Sequence, residues 1–162
     1  MSLLIREALP SDQGAIWSIL EPILRAGETY ALPMDWTQEQ AISFWFRSGN
    51  TVFVAVRGDE VLGTYFLHAN QQGGGAHVAN CGYATAFRAQ GQGVASLMCE
   101  HSLQLAPSLG FLAMQVNFVI SANRRAVDLW RRFGFEIVGT IPKAFDHPRF
   151  GLVDAFVMHR FV

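Results

Sequence analysis

Apolar residues recur along this chain with two different periods, and the changes from one to the other divide it into helices and strands. Ile16, Ile19, Leu20, Ile23 and Leu24 fall at three- and four-residue intervals behind Ser11-Asp12, which predicts a capped amphipathic helix. Pro22 lies inside that period, so a kink or break is expected near Glu21. From Gly27 to Asp35 breakers alternate with polar residues, the pattern of a loop. Thr37, followed by Glu39 or Gln40, caps a second helix with Ala41, Phe44 and Trp45 on its apolar face.

The pattern then turns to strand. Thr51 to Val56 and Val61 to Leu67 are rich in β-branched and aromatic residues and flank Arg57-Gly58-Asp59-Glu60, which has the composition of a hairpin turn. Gln71 to Gly75 is too flexible for a regular element, and His77 to Tyr83 reads as a third strand. Gly91 and Gly93 close a turn, after which Val94, Leu97, Met98, His101 and Leu105 keep a helical period from near Gln92 up to Pro107. Phe111 to Phe118 is a further strand. Ser121 caps a helix running through Arg132, Gly134 stops it, and strands follow over Phe135 to Thr140 and Val153 to Phe161. There is no internal repeat or linker, so residues 1–162 are expected to form one domain. Helices interspersed with strands point to an α/β or α+β fold of three layers.

Composition narrows the function. A formal charge of −1 offers no electrostatic footprint for nucleic acid or an anionic membrane surface, and no window approaches the length of apolar sequence that spans a bilayer. The two cysteines, Cys81 and Cys99, show neither CxxC spacing nor a Cys/His cluster, so reduced thiols, no bound metal and a cytoplasmic location are expected. An apolar share of 51% against 15% charged residues suggests that some apolar surface is covered by a second copy in a homodimer.

The glycine turn carries the candidate chemistry. Between a strand ending near Ala84 and a helix starting near Gln92, Gly91 and Gly93 let the backbone approach a ligand while the first N–H groups of the helix remain unpaired. Such a terminus binds anions, and Arg88 adds a positive charge. A diphosphate suits the place. A Walker loop needs a Lys-Ser or Lys-Thr pair that is absent, and a dinucleotide fingerprint is approached by Gly91-Gln92-Gly93-Val94-Ala95-Ser96 but lacks the third glycine or alanine. A tight turn without a ligand is the remaining alternative.

The stretch Arg88-Ala89-Gln90-Gly91-Gln92-Gly93-Val94-Ala95-Ser96-Leu97-Met98 resembles the RxxGxGxxL segment with which the GNAT superfamily of N-acetyltransferases holds the pyrophosphate of acetyl-CoA. Downstream, Asn123 to Phe135 is similar to that family's NxxAxxLYxxxGF helix, and Ile5-Arg6-Glu7-Ala8 precedes the first helix as the family's N-terminus does. The resemblance implies a mixed, mostly antiparallel sheet whose fourth and fifth strands splay apart to admit the pantetheine arm. It further implies pyrophosphate binding by backbone N–H groups from Gln90 through Gly91, Gln92, Gly93 and Val94 to Ala95, pairing of the Tyr83 backbone with pantetheine, and a cofactor contact by Asn123. Glu28 to Pro33 and Ile137 to Lys143 look similar to members that acetylate amino acids, proline analogues or phosphinothricin-like compounds.

The sequence departs from the family at one catalytic point. Many relatives place a tyrosine at Trp130 to protonate the leaving thiolate, and an indole N–H is a far poorer acid; Trp130 is then core or a wall of the acyl channel. Asn80 and Asn117 could orient the amine by hydrogen bonding or satisfy sheet backbone where strands diverge, and Glu28 or Asp35 could attract a cationic amine or remove its proton, or stay solvated. His77 and His147 are weaker base candidates, while Arg124 and Arg125 could reach the nucleotide phosphate or face solvent. The expected function is acetyl transfer from acetyl-CoA to a primary or secondary amine of a small molecule by direct attack. Rival readings are a CoA-binding module without turnover and a dinucleotide-dependent oxidoreductase.

Overall fold

A computed structural model describes residues 1–162, with a β-hairpin near the middle of its sheet. Strands β2 (Thr51–Arg57) and β3 (Glu60–Ala69) pair antiparallel around a turn in which Gly58 takes the positive φ that such a turn demands. A short N-terminal strand, β1 (Leu3–Glu7), pairs antiparallel with β2, and β4 (Val78–Thr85) pairs antiparallel with β3. The remaining strands are β5 (Ala113–Ile120), β6 (Glu136–His147) and β7 (Gly151–Phe161). All seven lie in one sheet of order β1-β2-β3-β4-β5-β7-β6, and only the β4–β5 pair is parallel. A sheet that is antiparallel but for one pair is not a doubly wound dinucleotide fold.

Helices cover both faces. On one, α1 (Gln13–Ala26) and α2 (Gln38–Trp45) pack against the sheet: Trp45 stands edge-on to Phe66 at 4.8 Å, and its indole N–H donates to the buried Thr64 hydroxyl, which donates in turn to the Phe53 carbonyl. On the other lie α3 (Val94–Leu105) and α4 (Arg124–Arg132), with Phe53, Tyr65, Tyr83 and Trp130 forming a row of stacked and edge-on rings at 4.9–5.2 Å beneath them. The expected three layers are therefore present.

Local expectations hold in part. Thr37 caps α2 in a capping box with Gln40, but α1 runs unbroken through Pro22. Ile19 and Leu20 before the proline and Ile23 and Leu24 after it are all buried on one face, and that shared burial, at roughly 1.5–3 kcal/mol per side chain, outweighs a cost of about 3 kcal/mol for an interior proline. Asp12 does not cap α1 with its side chain; its carboxylate takes a bidentate bond from Arg6, at 2.7 and 3.0 Å, and the Leu9 N–H. Asn123 rather than Ser121 caps α4. The strands β6 and β7 reach much further than their apolar patterns suggest, so most of Lys143 to Leu152 is hairpin and not free loop.

Candidate active site

The parallel ladder between β4 and β5 is short. Val78, Ala79 and Asn80 face Ala113, Met114 and Gln115, and beyond that rung the strands part, leaving Cys81–Thr85 and Val116–Ile120 unpaired with each other. Asn80 closes the ladder: its Nδ2 donates to the Gln115 carbonyl at 3.1 Å, while its Oδ1 faces His68 Nε2 at 2.9 Å. The wedge beyond opens into a cavity of about 910 Å³ that passes from the glycine turn, between the parted strands, to the α1–α2 face of the sheet.

At the C-terminal end of β4 the chain makes one 3₁₀ turn, Phe87–Ala89, and reaches α3 through Gly91 and Gly93, both at positive φ (76° and 82°). A Cβ on either glycine would meet no protein atom within 4 Å, so the backbone here lies open. The Gln90 and Gln92 N–H groups are used by the turn, on the Phe87 and Ala89 carbonyls at 3.3 Å. Those of Gly91, Gly93, Val94, Ala95 and Ser96 find no acceptor in the turn or in the first turn of α3, and these five residues line the cavity. A cluster of unpaired N–H groups at a helix start is a cradle for phosphate oxygens.

The other site residues named from sequence divide. Tyr83, Gln90, Asn123, Arg125 and Trp130 line the same cavity. Arg125 donates to the Gln90 side chain at 2.8 Å, and Asn123 accepts from the Ala126 N–H as the α4 cap. Trp130 is 5% exposed, edge-on to Tyr83 at 4.9 Å and Phe135 at 5.1 Å, so core and channel wall are the same role here. The Tyr83 carbonyl accepts a hydrogen bond of 2.5 Å from the Tyr30 hydroxyl, which projects into the cavity from the α1–α2 loop.

Three of the residues named from sequence lie outside the cavity lining. The Arg88 guanidinium turns away from the cradle to Glu60, at 2.8 Å, and to the Val61 carbonyl, because the end of the β2–β3 hairpin offers it a carboxylate. Gln92 faces Arg57 and the Arg88 carbonyl and does not line the cavity. Glu28 is held by Arg149 at 2.9 Å, which ties the α1–α2 loop to the β6–β7 turn and takes the carboxylate out of the cavity lining. Asn80 lines the cavity at its apex; its contacts to His68 and the Gln115 carbonyl use one N–H and one lone pair of its amide. Asn117 lines the cavity, bonded to Asn70 and Gln115. His147 is the buried end of β6, where its Nδ1 accepts from the Arg149 N–H; His77 is exposed.

Sequence reading missed Tyr30, Arg47 and His68. Arg47 lines the cavity at the α1–α2 face, 4.3 Å above the Phe44 ring, and its Nη2 lies 3.1 Å from His68 Nε2. Arg47 and His68 stand in no motif, and Tyr30, within the Glu28 to Pro33 segment, was not singled out; only the closing of the fold brings them to the wedge. Burial raises the Cys81 thiol to about 12, so it stays protonated beside the cavity. No group of three or more His, Cys, Asp or Glu side chains could hold a metal, and no helix is long and apolar enough to cross a membrane.

The sequence model of the Acetyltransferase (GNAT) family matches residues 15–135. This chain belongs to that family. A GCN5-related N-acetyltransferase from Kribbella flavida has 41% identical residues and a TM-score of 0.94, with 99% of this chain and 98% of that one covered. Among curated proteins, the N-acetyltransferase aca1 of Schizosaccharomyces pombe is 24% identical over 137 residues, covering 75% of this chain and 66% of that protein, just under two thirds of its length. A phosphinothricin acetyltransferase from Sinorhizobium meliloti, solved in complex with AcCoA, shares the GNAT fold at a TM-score of 0.86 and 19% identity, over 100% of this chain and 89% of its own. For this GNAT protein the oxidoreductase reading is set aside.

Proposed function

We propose that this protein transfers an acetyl group from acetyl-CoA to a primary or secondary amine of a small molecule. The observation that carries the proposal is the set of unpaired N–H groups from Gly91 to Ser96, opening on a cavity that crosses the sheet at the β4–β5 wedge. The residues fit the cosubstrate. Those N–H groups would take the pyrophosphate, with Arg125 and Gln90 beside it, and the freed edge of β4 around Tyr83 would pair with the pantetheine amides. Bound acetyl-CoA supplies an activated acyl group; the chain positions it and keeps water out. Tyr83, Val119 and Trp130 form apolar wall, Tyr30 covers the wedge from the α1–α2 loop, and the Asn80–Gln115 rung fixes the apex where the strands part.

Access from opposite faces of the sheet supports a ternary complex and direct attack. Asn117, at the cavity edge, is placed to orient the acceptor by hydrogen bonding. With no phenol at Trp130, the departing thiolate takes its proton from water or from the ammonium product. Free, buried Cys81 and Cys99 fit a reducing, cytoplasmic setting. Exposed Val138, Ile141 and Leu152 on β6 and β7 support a homodimer, which a monomer mass by light scattering at micromolar concentration would reject.

Incubation with acetyl-CoA and a library of amino acids, polyamines and other amines, read by a thiol reagent, tests the activity. Release of free thiol with at least one amine is expected. Tight CoA binding by calorimetry without release from any amine would establish the binding module instead.

A further inference from the structure

Charge in the cavity is unevenly placed, and that asymmetry reaches beyond the transfer reaction to the kind of amine it serves. The one carboxylate lining the cavity is Asp128, on α4, beside Arg125 and Arg132 at the end near the glycine turn. Across the sheet, the α1–α2 end is lined by aromatic and aliphatic side chains and one charged group, Arg47. This end lies at the apex of the wedge: His68, which touches Arg47, also touches Asn80, the last rung of the β4–β5 ladder. Asn80 stands five residues before the end of β4, about 17 Å from the start of the glycine turn at strand rise, too far for Arg47 to serve the phosphates there.

Arg47 is held but not neutralised. Its guanidinium carbon stacks 4.3 Å from the Phe44 ring centre and 5.5 Å from that of Phe66, and Nη2 rests against His68. No carboxylate lies within ion-pair distance, and Nε and Nη1 have no acceptor. A half-buried fork of N–H donors, oriented by two rings and an imidazole and lacking an anion, is preorganised for a planar, bidentate anion such as carboxylate. An acceptor with no negative charge would leave that cation with only the faces of Phe44 and Phe66 and the His68 imidazole against it, and no anion.

We infer that Arg47 sets the acceptor class of this enzyme: an amine that also carries an anionic group, with the carboxylate of an α-amino acid as the simplest case, and not a polyamine. The inference rests on the acetyltransferase reading, and its test separates the two. CoA-saturated protein is titrated by calorimetry with each proteinogenic α-amino acid and with its α-methyl ester, which keeps the amine and carbon skeleton and removes the charge. Turnover of the same pairs is followed by thiol release. At least one amino acid binds and reacts better than its ester, by about 10–100-fold in Kd and in kcat/KM, the yield of one charge-assisted pair. Arg47→Gln removes the preference, Arg47→Lys retains part of it, and both variants bind CoA as the wild type does, which reports that they fold. Turnover with acid and ester alike, or equal loss for both in Arg47→Gln, would overturn the assignment and leave the activity standing. Preferential binding of the acid without thiol release would do the reverse, and an absence of binding by every amino acid would also overturn the assignment.

Discussion

Gly93 and Gly110 form a matched pair of positions on which the phosphate cradle can be tested. Gly93 sits at φ 82°, ψ 5° before α3, and Gly110 at φ 89°, ψ 7° at the end of the 3₁₀ turn that follows α3. A Cβ at either meets nothing within 4 Å. Valine at each position therefore suffers the same left-handed backbone strain, about 1–3 kcal/mol, and no clash inside the protein. In a chain of this length each kcal/mol lowers Tm by about 2–4 °C, so both variants should melt a similar few degrees early. They differ in surroundings: Gly93 lines the cavity and Gly110 does not. A β-branched side chain at Gly93 would stand where phosphate oxygens must meet the Gly93 to Ser96 N–H groups. Two charge-assisted hydrogen bonds lost at about 1.5 kcal/mol each weaken CoA binding by at least about 100-fold. Calorimetry with CoA and a thermal melt on both variants give the four numbers needed. CoA affinity unchanged in Gly93→Val, or reduced equally in Gly110→Val, would refute the cradle.

Three further outcomes are expected. Arg6, aided by the Leu9 N–H and opposed by burial, holds the Asp12 carboxyl below its ordinary value, so the stabilisation is present above the unfolded carboxylate value near about pH 4 and is lost as pH falls through the folded one. Asp12→Asn should thus cost about 2 kcal/mol at pH 7, with the gap to wild type closing as pH falls through the depressed folded value in denaturant titrations; a gap independent of pH would contradict the pairing. Cys81, with its thiol pushed up to about 12, is ionised in about one molecule in ten thousand at pH 8, so iodoacetamide should modify the native protein orders of magnitude more slowly than the unfolded chain. Trp130→Phe should keep kcat within about threefold while losing about 1 kcal/mol or more of stability, since the indole packs but transfers no proton; abolished turnover in a folded variant would assign chemistry to that N–H.

What could be read from the sequence was local. The hairpin over Thr51–Ala69, the Thr37 cap, the glycine turn and the α4 segment are each specified by residues a few positions apart, and each formed as their chemistry requires. Pro22 misled because the break it favours was weighed without the burial of both halves of α1 against the sheet. The cavity lining was legible near the motifs, in Gly91, Gly93, Asn123, Arg125 and Trp130, and less so where a side chain's partner is distant in the chain. Arg88 could be assigned to phosphate only in ignorance of Glu60, 28 positions away, and Glu28 to the acceptor only in ignorance of Arg149, 121 positions away. Arg47 had no motif to announce it, and the role of Tyr30 could not be read from its segment, since their partners, His68 and Tyr83, are supplied by strands that follow later in the chain.

The early end of the β4–β5 ladder has a consequence for how the protein behaves between encounters with its cosubstrate. A sheet normally protects its central amides best, yet here a stretch of β4 in the middle of seven strands has a neighbour on one side only. Amide hydrogens of Cys81–Thr85 that point into the gap should exchange with solvent as readily as those of an edge strand, and become slow once CoA lends its own amides to the row. A ligand so bound would count as part of the sheet, and its departure would unzip the molecule at its centre while the rim stays closed.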